Sequence, residues 1–324
     1  MAEWLYEAGL GEERAALVAD GEIVEAHLRP DDAGLQPGAA VAARLVQLLP
    51  RGQALARAGR EELLVDGLTG ETQGAEVHVL IERSALPEPG KRKRAKARLT
   101  DEGECAAPSL RDHLVGAPVR NLRPHRPDAL EAAGWSELLE EAARGEVAFA
   151  GGALRLSLTP AMTLLDVDGT LDPEPLALAG ATAAARTIRR FGVGGSIGLD
   201  LPTVGHRAIR QQVGELLDSL LPRPFERTAM NGFGFVQIVR PRLRPSLPEL
   251  LQFDAVPAAA RALLRRAERS GLAGAITLTA APPVIAWLDR RHDLLQRLAE
   301  TLGGPVSLRA DPALAIWSGH AGQA

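Results

Sequence analysis

Two short apolar segments that each end on a carboxylate constrain the fold of this chain more than any other feature. The first is LLDVDGT at residues 164–170, and the second is GGSIGLD at residues 194–200. The Ala- and Arg-rich stretch from Pro175 to Phe191 separates them and has the spacing of a helix that ends near Gly192. A strand, a helix and a strand with no room for another element make a right-handed crossover between parallel neighbours.

The carboxylates of these segments are expected to meet. In sheets of this kind ligands bind outside the carboxyl ends of the strands, where Asp166, Asp168 and Asp200 would converge. Carboxylates brought together repel one another unless a proton or a cation joins them. Because oxygen-only ligands suit a hard cation, the sequence predicts that these three residues bind Mg²⁺, with Mn²⁺ as the alternative ion.

Length and charge limit the classes of function. The chain has 324 residues, enough for two or three domains with sizeable cores. Hydrophobic residues make up 46% of it but aromatic residues only 3%, so the cores are expected to consist of Ala, Leu, Val and Ile. The formal net charge of −4 gives no overall signal for a polyanionic partner, and any nucleic-acid site must be a local patch.

Cysteine content and hydropathy bear on the cellular compartment. The single cysteine, Cys105, excludes a disulfide within the chain and a cysteine-based zinc site. Neither a secretory leader nor a run of roughly 18 apolar residues is visible in the sequence. A cytoplasmic protein without membrane association is therefore expected.

Residues 1–100 are predicted to be rich in β-structure. A hairpin is predicted from Glu13 to Leu28, with Asp20-Gly21 as its turn. Short strands broken by Gly and Pro follow at Ala39–Leu49, Gln53–Ala58, Glu62–Val65 and Glu76–Ile81. Four or five short strands in this space suit a small barrel of the OB (oligonucleotide/oligosaccharide-binding) type, although another small sheet would fit the pattern equally well.

The middle of the chain contains the only dense basic run. Six of the eight residues 91–98 are Lys or Arg, a pattern typical of a solvated loop and also suited to contacting a phosphate backbone. Residues 101–127 are predicted to be a linker, because Pro, Gly and Asp are frequent there. An amphipathic helix is predicted at 128–144 and a strand at 153–158.

The segments after Asp200 continue the alternation of helices and strands. A helix is predicted at 204–221 and a strand at 233–240, which leads into a basic segment at 240–244. The remaining residues predict a small α/β unit, with helices at 257–270 and 284–302 and strands at 274–279 and 305–309. The predicted domains are thus 1–100, 128–250 and 251–324, with the linker between the first two.

The Asp166-Val167-Asp168-Gly169-Thr170 motif resembles the first motif of the haloacid-dehalogenase-like phosphatases. In that family Asp166 would attack phosphorus and Asp168 would act as general acid. Such an enzyme also needs a Ser or Thr at a second strand end, a downstream Lys and an acidic pair for Mg²⁺. No lysine occurs from Leu171 to the C-terminus, so the phosphatase is retained only as a third alternative.

A second resemblance covers most of the chain. AMTLLDVD at 161–168 and GGSIGLD at 194–200 are similar to two segments of the ribonuclease E/G family. NGFGFVQIVRPRLRPSL at 231–247 resembles the family's Phe-Gly strand and the Arg-rich segment that follows it. Weaker likenesses extend to VLIER at 79–83 and IAWL at 285–288.

This resemblance implies a hydrolytic endoribonuclease that cuts single-stranded RNA with Mg²⁺. It implies an α/β (α+β) multidomain fold with an N-terminal OB-type (S1-like) barrel, a central DNase-I-like catalytic domain and a small C-terminal α/β domain. Asp166 and Asp200 would be catalytic and would bind the metal, with Asp168 where the family usually has Asn. The barrel would bind unpaired bases. Residues expected to hold the RNA are Lys91, Arg92, Lys93, Arg94, His206, Arg207, Arg240, Arg242 and Arg244.

The sequence also departs from the family pattern. No cysteine follows Leu247, so zinc is not expected and any homodimer would form without a zinc link. The segment between the barrel and the catalytic domain is too short for the family's 5′-end sensor. Gly232 stands where a basic residue normally precedes Phe-Gly. These differences leave a second hypothesis open, an RNA-binding protein that keeps the scaffold and has lost most of its activity.

Overall fold

The computed structural model describes residues 2–324 and divides them into two compact units. One unit contains the residues up to Asp32, Leu114–Leu139 and Leu250–Ala324. The other contains Ala33–His113 and Glu140–Glu249. Both units are therefore assembled from segments that are distant in sequence, whereas the sequence analysis placed its domains one after another along the chain.

Ten strands are described in the first hundred residues. In chain order they are β1 (Glu3–Ala8), β2 (Glu12–Ala19), β3 (Glu22–Pro30), β4 (Ala40–Leu49), β5 (Gln53–Ala58), β6 (Glu61–Asp66), β7 (Glu76–Arg83), β8 (Leu86–Glu88), β9 (Lys91–Lys93) and β10 (Ala95–Leu99). The later strands are β11 (Val119–Asn121), β12 (Glu146–Phe149), β13 (Gly152–Leu158), β14 (Thr163–Gly169), β15 (Gly195–Asp200), β16 (Glu226–Arg227), β17 (Phe235–Arg240), β18 (Ile276–Ala280), β19 (Val306–Ala310) and β20 (His320–Gln323).

The helices lie mainly after residue 128. They are α1 (Ala129–Ala132), α2 (Trp135–Arg144), α3 (Pro173–Arg190), α4 (Arg207–Leu220), α5 (Leu247–Phe253), α6 (Ala255–Arg269), α7 (Pro282–Asp289) and α8 (His292–Leu302). Across residues 2–324, none of them is long and apolar enough to cross a membrane.

The first unit contains two sheets, with strand orders β11-β1-β2-β3 and β19-β18-β20. The predicted hairpin forms β2 and β3, and Asp20 and Gly21 both have positive φ, as a two-residue turn between twisted strands requires. The second sheet packs with α6, α7 and α8 around buried aliphatic side chains such as Leu263, Leu278 and Leu298. Part of the predicted linker belongs to the first sheet, because β11 pairs in parallel with β1.

A closed five-stranded barrel of β10-β6-β5-β4-β7 lies in the second unit, as the strand pattern predicts. Its interior holds aliphatic and small side chains, among them Leu45, Ala56, Leu63 and Ala97, which agrees with the low aromatic content. The basic run is not a loop in this structure. Its first part forms β9, and its second part is β10, the strand that closes the barrel against β6 and β7.

The six-stranded sheet of the second unit has the order β12-β13-β14-β15-β17-β16. As predicted, β14 and β15 are parallel neighbours joined through a helix, α3, and the remaining pairs are antiparallel. One face is buried at Leu165, Val167 and Leu199, and α3 packs against β14 on this side. Because side chains alternate along a strand, the acidic residues of β14 point to the opposite face.

Two predicted helices are each divided into two. The predicted helix at 128–144 ends after Ala132 and restarts at Trp135, because Gly134 has φ 93°, outside the helical range. The predicted helix at 284–302 is likewise interrupted at Arg290 and Arg291, between α7 and α8. Periodicity alone does not reveal such breaks when the apolar spacing continues across them.

Gly180 allows α3 to pack closely against the strand that carries the acidic residues. A Cβ at this position would lie 2.5 Å from Val167 Cγ1. Although Gly to Ala in a helix normally stabilises by about 1 kcal/mol, we expect Gly180→Ala to lower the free energy of unfolding by about 1–3 kcal/mol, since the stiff valine cannot move away. Urea unfolding would measure this, with Gly214→Ala as the control. A Cβ at Gly214 meets only the flexible end of Arg227, so that variant should be neutral or more stable. An equal stabilisation of both variants would contradict the prediction.

Candidate functional site

The carboxylates predicted from the sequence lie on one face of the six-stranded sheet. Asp166 and Asp200 are register partners on the parallel strands β14 and β15, which places their backbones about 4.8 Å apart. Asp168 follows two residues after Asp166 and therefore faces the same side. Asp168 and Asp200 are exposed and Asp166 is half-buried. The crossover thus brings together the three residues that the sequence analysis placed at the strand ends.

The electrostatics of Asp166 reflect this crowding. Partial burial raises the pKa of Asp166, and the charges of Asp168 and Asp200 raise it further. The guanidinium of Arg155 acts in the opposite direction and lowers it. A carboxyl with a raised pKa next to two other carboxylates is stabilised by a proton or by a cation, as the sequence analysis anticipated.

The donors at this site fit a hard divalent cation only in part. Within residues 2–324, no three His, Cys, Asp or Glu side chains form a group that could hold a metal ion by themselves. Mg²⁺ usually keeps several waters and takes one or two protein carboxylates together with substrate phosphate oxygens. The in-register pair Asp166 and Asp200 supplies ligands of this type. A metal-binding role for Asp168 stays a prediction.

Arg155 is a site residue that the sequence analysis missed. It lies on β13 directly opposite Asp166, and its Nη1 is 3.4 Å from Asp168 Oδ2. Its Nε is also 3.9 Å from Glu146 Oε1. The signal in the sequence was the single cation between Leu154 and Leu156, which indicates an outward-facing position. Nothing in the sequence, however, shows that β13 pairs with β14.

Three of the arginines predicted to hold RNA, Arg240, Arg242 and Arg244, lie at the other end of the sheet. Arg240 is the register partner of Gly195, five residues from Asp200 along β15, or about 17 Å. Each guanidinium also has a partner within the chain. Arg240 Nη1 donates to the carbonyl of Val193 (3.1 Å), Arg242 pairs with the buried Glu249, and Arg244 lies 2.8 Å from His113 Nε2. They are therefore not neighbours of the carboxylates.

The segment after β17 also contacts the barrel strand β7. The backbone N–H of Ser84 donates to the carbonyl of Leu243 (3.0 Å), which brings the end of β7 beside that segment. Burial lowers the pKa of Arg83, and the nearby charge of Arg242 lowers it further, whereas Glu88 raises it. Because Arg242 is itself paired with the buried Glu249, both guanidinium groups have a carboxylate nearby.

The basic residues of β9 and β10 are partly neutralised. Arg94 Nε donates to Glu62 Oε2 at 2.8 Å and Lys96 Nζ lies 2.7 Å from Asp66 Oδ2, so both cations pair with β6 of the barrel. Lys91 is 3.6 Å from Glu88 on β8. The side chains of Lys91, Arg92 and Lys93 are all exposed. The residues predicted to contact phosphate thus lie on the two-stranded sheet of β8 and β9 and just before the barrel strand β10, and not on the sheet that carries Asp166 and Asp200.

His206 and Arg207 stand at the beginning of α4, which follows β15. His206 Nδ1 contacts Glu174 in the first turn of α3, so the two helices that follow the parallel strands are linked at their N-terminal ends. Both predicted residues are exposed. They follow Asp200 in the chain and lie at the end of the sheet where β15 ends, whereas Arg240, Arg242 and Arg244 lie at the opposite end.

Protonation of Asp166 provides a test of the electrostatics. Because its folded pKa is raised, the native state binds more protons than the unfolded state above the usual value of 3.8, and stability falls as the pH rises through this window. Asp166→Asn cannot ionise at this position, so it lacks the loss of stability that accompanies ionisation of Asp166. We expect the variant to be slightly more stable than the wild type at pH 7, by less than about 1 kcal/mol because the site is open to solvent, and equal to it below about pH 3.8. Thermal unfolding across pH 3–8 would measure the difference, and a variant less stable at pH 7 would contradict it.

The carboxylate face is thus defined by Asp166 and Asp200 in register, Asp168 beside them and Arg155 opposite. It presents two in-register carboxylates, a third carboxylate and one guanidinium, and both Asp168 and Asp200 are exposed to solvent. Neither a protein-family model nor a curated protein sequence matches this chain at a significant level.

Proposed function

We propose that this protein is a Mg²⁺-dependent endoribonuclease of the ribonuclease E/G type, which hydrolyses phosphodiester bonds of single-stranded RNA in RNA processing or decay. The observation that carries the proposal is the in-register pair Asp166 and Asp200 on an open sheet face. The motif resemblance assigned catalysis to the same two residues.

Each residue of the carboxylate face has a distinct task in this proposal. Asp166 and Asp200 would hold the cation, which when bound would lower the pKa of a coordinated water and offset charge on the phosphate. Arg155, the register partner of Asp166, supplies a protein cation on the same face and would contact a phosphate bound there. Asp168, held within 3.4 Å of Arg155, orients that guanidinium.

The architecture supports a nucleic-acid substrate. We assign the closed five-stranded barrel to the OB type and the six-stranded sheet with its helices to the DNase-I-like catalytic domain. The exposed side chains of Lys91, Arg92 and Lys93 give a positive surface for a phosphate backbone. An RNA strand that contacts this surface would be bound in a salt-dependent manner.

Cleavage of a labelled RNA tests the proposal. A 5′-labelled single-stranded RNA would be incubated with the protein in Mg²⁺ and in EDTA, with duplex RNA and single-stranded DNA as further substrates. Internal cuts in RNA that need Mg²⁺ and vanish in Asp166→Asn are expected. Asp289→Asn changes an exposed carboxylate outside the site and should retain the cuts.

The same assay separates the alternatives. Tight RNA binding without cuts in Mg²⁺ or Mn²⁺ would replace the nuclease by an RNA-binding protein on the same scaffold. Turnover of p-nitrophenyl phosphate without any effect on RNA would instead favour the phosphatase.

A further inference from the structure

Phe233 has an exposure that packing does not explain. Its side chain is 84% exposed, the highest value among the large apolar residues that the structure describes. Both of its chain neighbours are glycines, and Asn231 before them is also exposed. A single ring of this kind lies in water without contributing to a core, although apolar surface is normally removed from water.

The backbone that carries this ring is held firmly. Asn231 Oδ1 accepts hydrogen bonds from the N–H groups of Phe233 (2.9 Å) and Phe235 (3.0 Å). The hydroxyl of Thr203 donates to the carbonyl oxygen of Phe233 at 3.3 Å. The exposure of the ring is therefore a property of an ordered loop that presents it to solvent.

The following glycine fixes the loop against the end of β15. Gly234 has φ +95°, and a Cβ there would lie 2.0 Å from the carbonyl oxygen of Leu201, so no other residue fits. The N–H of Leu201 donates to the carbonyl of Gly234 at 3.2 Å. This contact places the loop immediately beside the residue that follows Asp200.

The ring is consequently close to the carboxylate pair. Phe235 is the register partner of Asp200, and Phe233 precedes it by two residues, at most about 7–8 Å along the backbone. Within residues 2–324, Phe233 is the one aromatic residue among the exposed large apolar side chains. If the carboxylate face binds a phosphodiester, as proposed above, an exposed ring lies beside it.

We infer that Phe233 is a stacking platform for one unpaired base of the RNA strand bound at the carboxylate face, an inference that rests on the proposed function. Aromatic rings bind any base through its π-face, which is accessible in single strands and covered in a duplex. A protein partner fits less well, because protein interfaces bury continuous apolar patches, whereas this ring is flanked by glycines and an asparagine.

Binding in EDTA tests the inference separately from catalysis. The probes are pentaadenylate and the abasic ribose-phosphate pentamer of the same charge, titrated into the full-length protein and followed by fluorescence anisotropy. The wild type is expected to prefer the base-bearing pentamer. Phe233→Ala should weaken pentaadenylate binding about tenfold, leave abasic binding unchanged, and so reduce the preference by the same factor.

Three controls make the outcome specific. Phe233→Trp should retain the wild-type preference, whereas Phe233→Leu, which keeps apolar surface without a π-face, should behave like the alanine variant. Val115→Ala removes another strongly exposed apolar side chain (76%) and should change neither titration. Because the ring is exposed, all of these variants are expected to fold, and their thermal unfolding would verify this.

The results that overturn the inference are distinct from those that overturn the proposed function. Equal pentaadenylate binding by wild type and Phe233→Ala removes the platform, even if Mg²⁺-dependent cleavage is observed. A change in sedimentation of Phe233→Ala without a change in RNA binding would assign the ring to a protein contact instead. Conversely, loss of base preference in Phe233→Ala together with no cleavage in Mg²⁺ retains the platform and rejects only the nuclease.

Discussion

Asp200→Asn is expected to lower kcat/KM for RNA cleavage by at least roughly 100-fold while leaving the fold intact. An amide is a neutral and weaker ligand, so the site would lose half of the in-register carboxylate pair and with it most of its affinity for a divalent cation. Loss of several kcal/mol of charge stabilisation at the phosphate corresponds to 100-fold or more, because each 1.36 kcal/mol changes the rate tenfold. Single-turnover cleavage of a labelled RNA in Mg²⁺ measures the effect.

The stability of the same variant makes the prediction specific to function. Asp200 is exposed, and its charge helps to raise the pKa of its neighbour Asp166. Removing that charge relieves repulsion, so thermal stability should be unchanged or slightly higher. A residue whose role is packing or an ion pair would behave in the opposite way, because its replacement would lower the thermal stability of the protein. A variant that unfolds more easily and still cleaves RNA would contradict the assignment.

Raised metal concentration should separate a binding defect from a chemical one. If Asp200 mainly holds the cation, cleavage by Asp200→Asn should recover partly at high Mg²⁺ or Mn²⁺, whereas Asp289→Asn should follow the wild-type metal curve throughout. Failure of high metal to restore any activity would assign Asp200 a direct role at the phosphate.

The central crossover was predictable because its determinants are local. Alternation around Leu165 and Val167, the Ala-rich helix and the glycines before Gly195 all lie within one short segment, so β14, α3 and β15 follow from the sequence alone. Asp166 and Asp200 lie side by side for the same reason. Four of the five barrel strands were also visible in the spacing of Gly and Pro, and the fifth, β10, was hidden inside the basic run.

What the sequence did not show depends on pairing between distant segments. Arg155 faces Asp166 only because β13 pairs antiparallel with β14, and register between strands is set by tertiary packing. The exposure of Phe233 was also invisible, since an aromatic residue after Asn-Gly predicts the start of a strand and not a solvent-exposed ring. Arg240, Arg242 and Arg244 were predicted to hold the RNA, and the antiparallel direction of β17 puts them at the end of the sheet far from Asp200, which the motif alone does not show.

A buried ionic network joins the three chain segments of the first unit. Arg14 and Glu7 are each only 1% exposed, and Arg14 Nε lies 2.6 Å from Glu7 Oε2. Arg14 also binds Asp128, and Arg269 binds Glu7. These four residues come from all three segments. Such a network leaves no periodic signature in the sequence.

The pKa values of the network show how its charges depend on one another. Burial alone would raise the pKa of Asp128, but the hydrogen bond and charge of Arg14 outweigh this and hold it below its usual value. A carboxyl with a lowered pKa stabilises the fold above its unfolded pKa, and this stability is lost as the pH falls through the folded value. Burial and the charge of Glu7 raise the pKa of the nearby Glu268. The ionised form of this second carboxyl therefore destabilises the folded state.

Arg14→Ala is expected to lower the free energy of unfolding by about 3–5 kcal/mol, the largest loss of stability predicted for this protein. The variant leaves Glu7, which is 1% exposed, and Asp128, which is 17% exposed, with one cation, Arg269. It also removes the guanidinium that lies 5.5 Å from the ring centroid of Trp135. Urea unfolding at pH 7 measures the loss. Arg120→Ala is the matched control in the same unit. Arg120 Nη2 lies 3.0 Å from Glu3 Oε2, but both side chains are about half exposed. Loss of this pair should therefore lower the free energy of unfolding by less than about 1 kcal/mol.

A double variant distinguishes buried charge from lost packing. Glu7→Leu with Arg14→Met removes one charge of each sign and leaves Arg269 beside Asp128, whose atoms Nε and Oδ2 are already 3.4 Å apart. Charge balance is then restored, so the double variant should be more stable than Arg14→Ala and far more stable than the sum of the two single changes predicts. If the losses of stability in the two single variants simply added, these residues would contribute through their packing and not through their charges. The ionic network would then not be what joins the three segments of the unit.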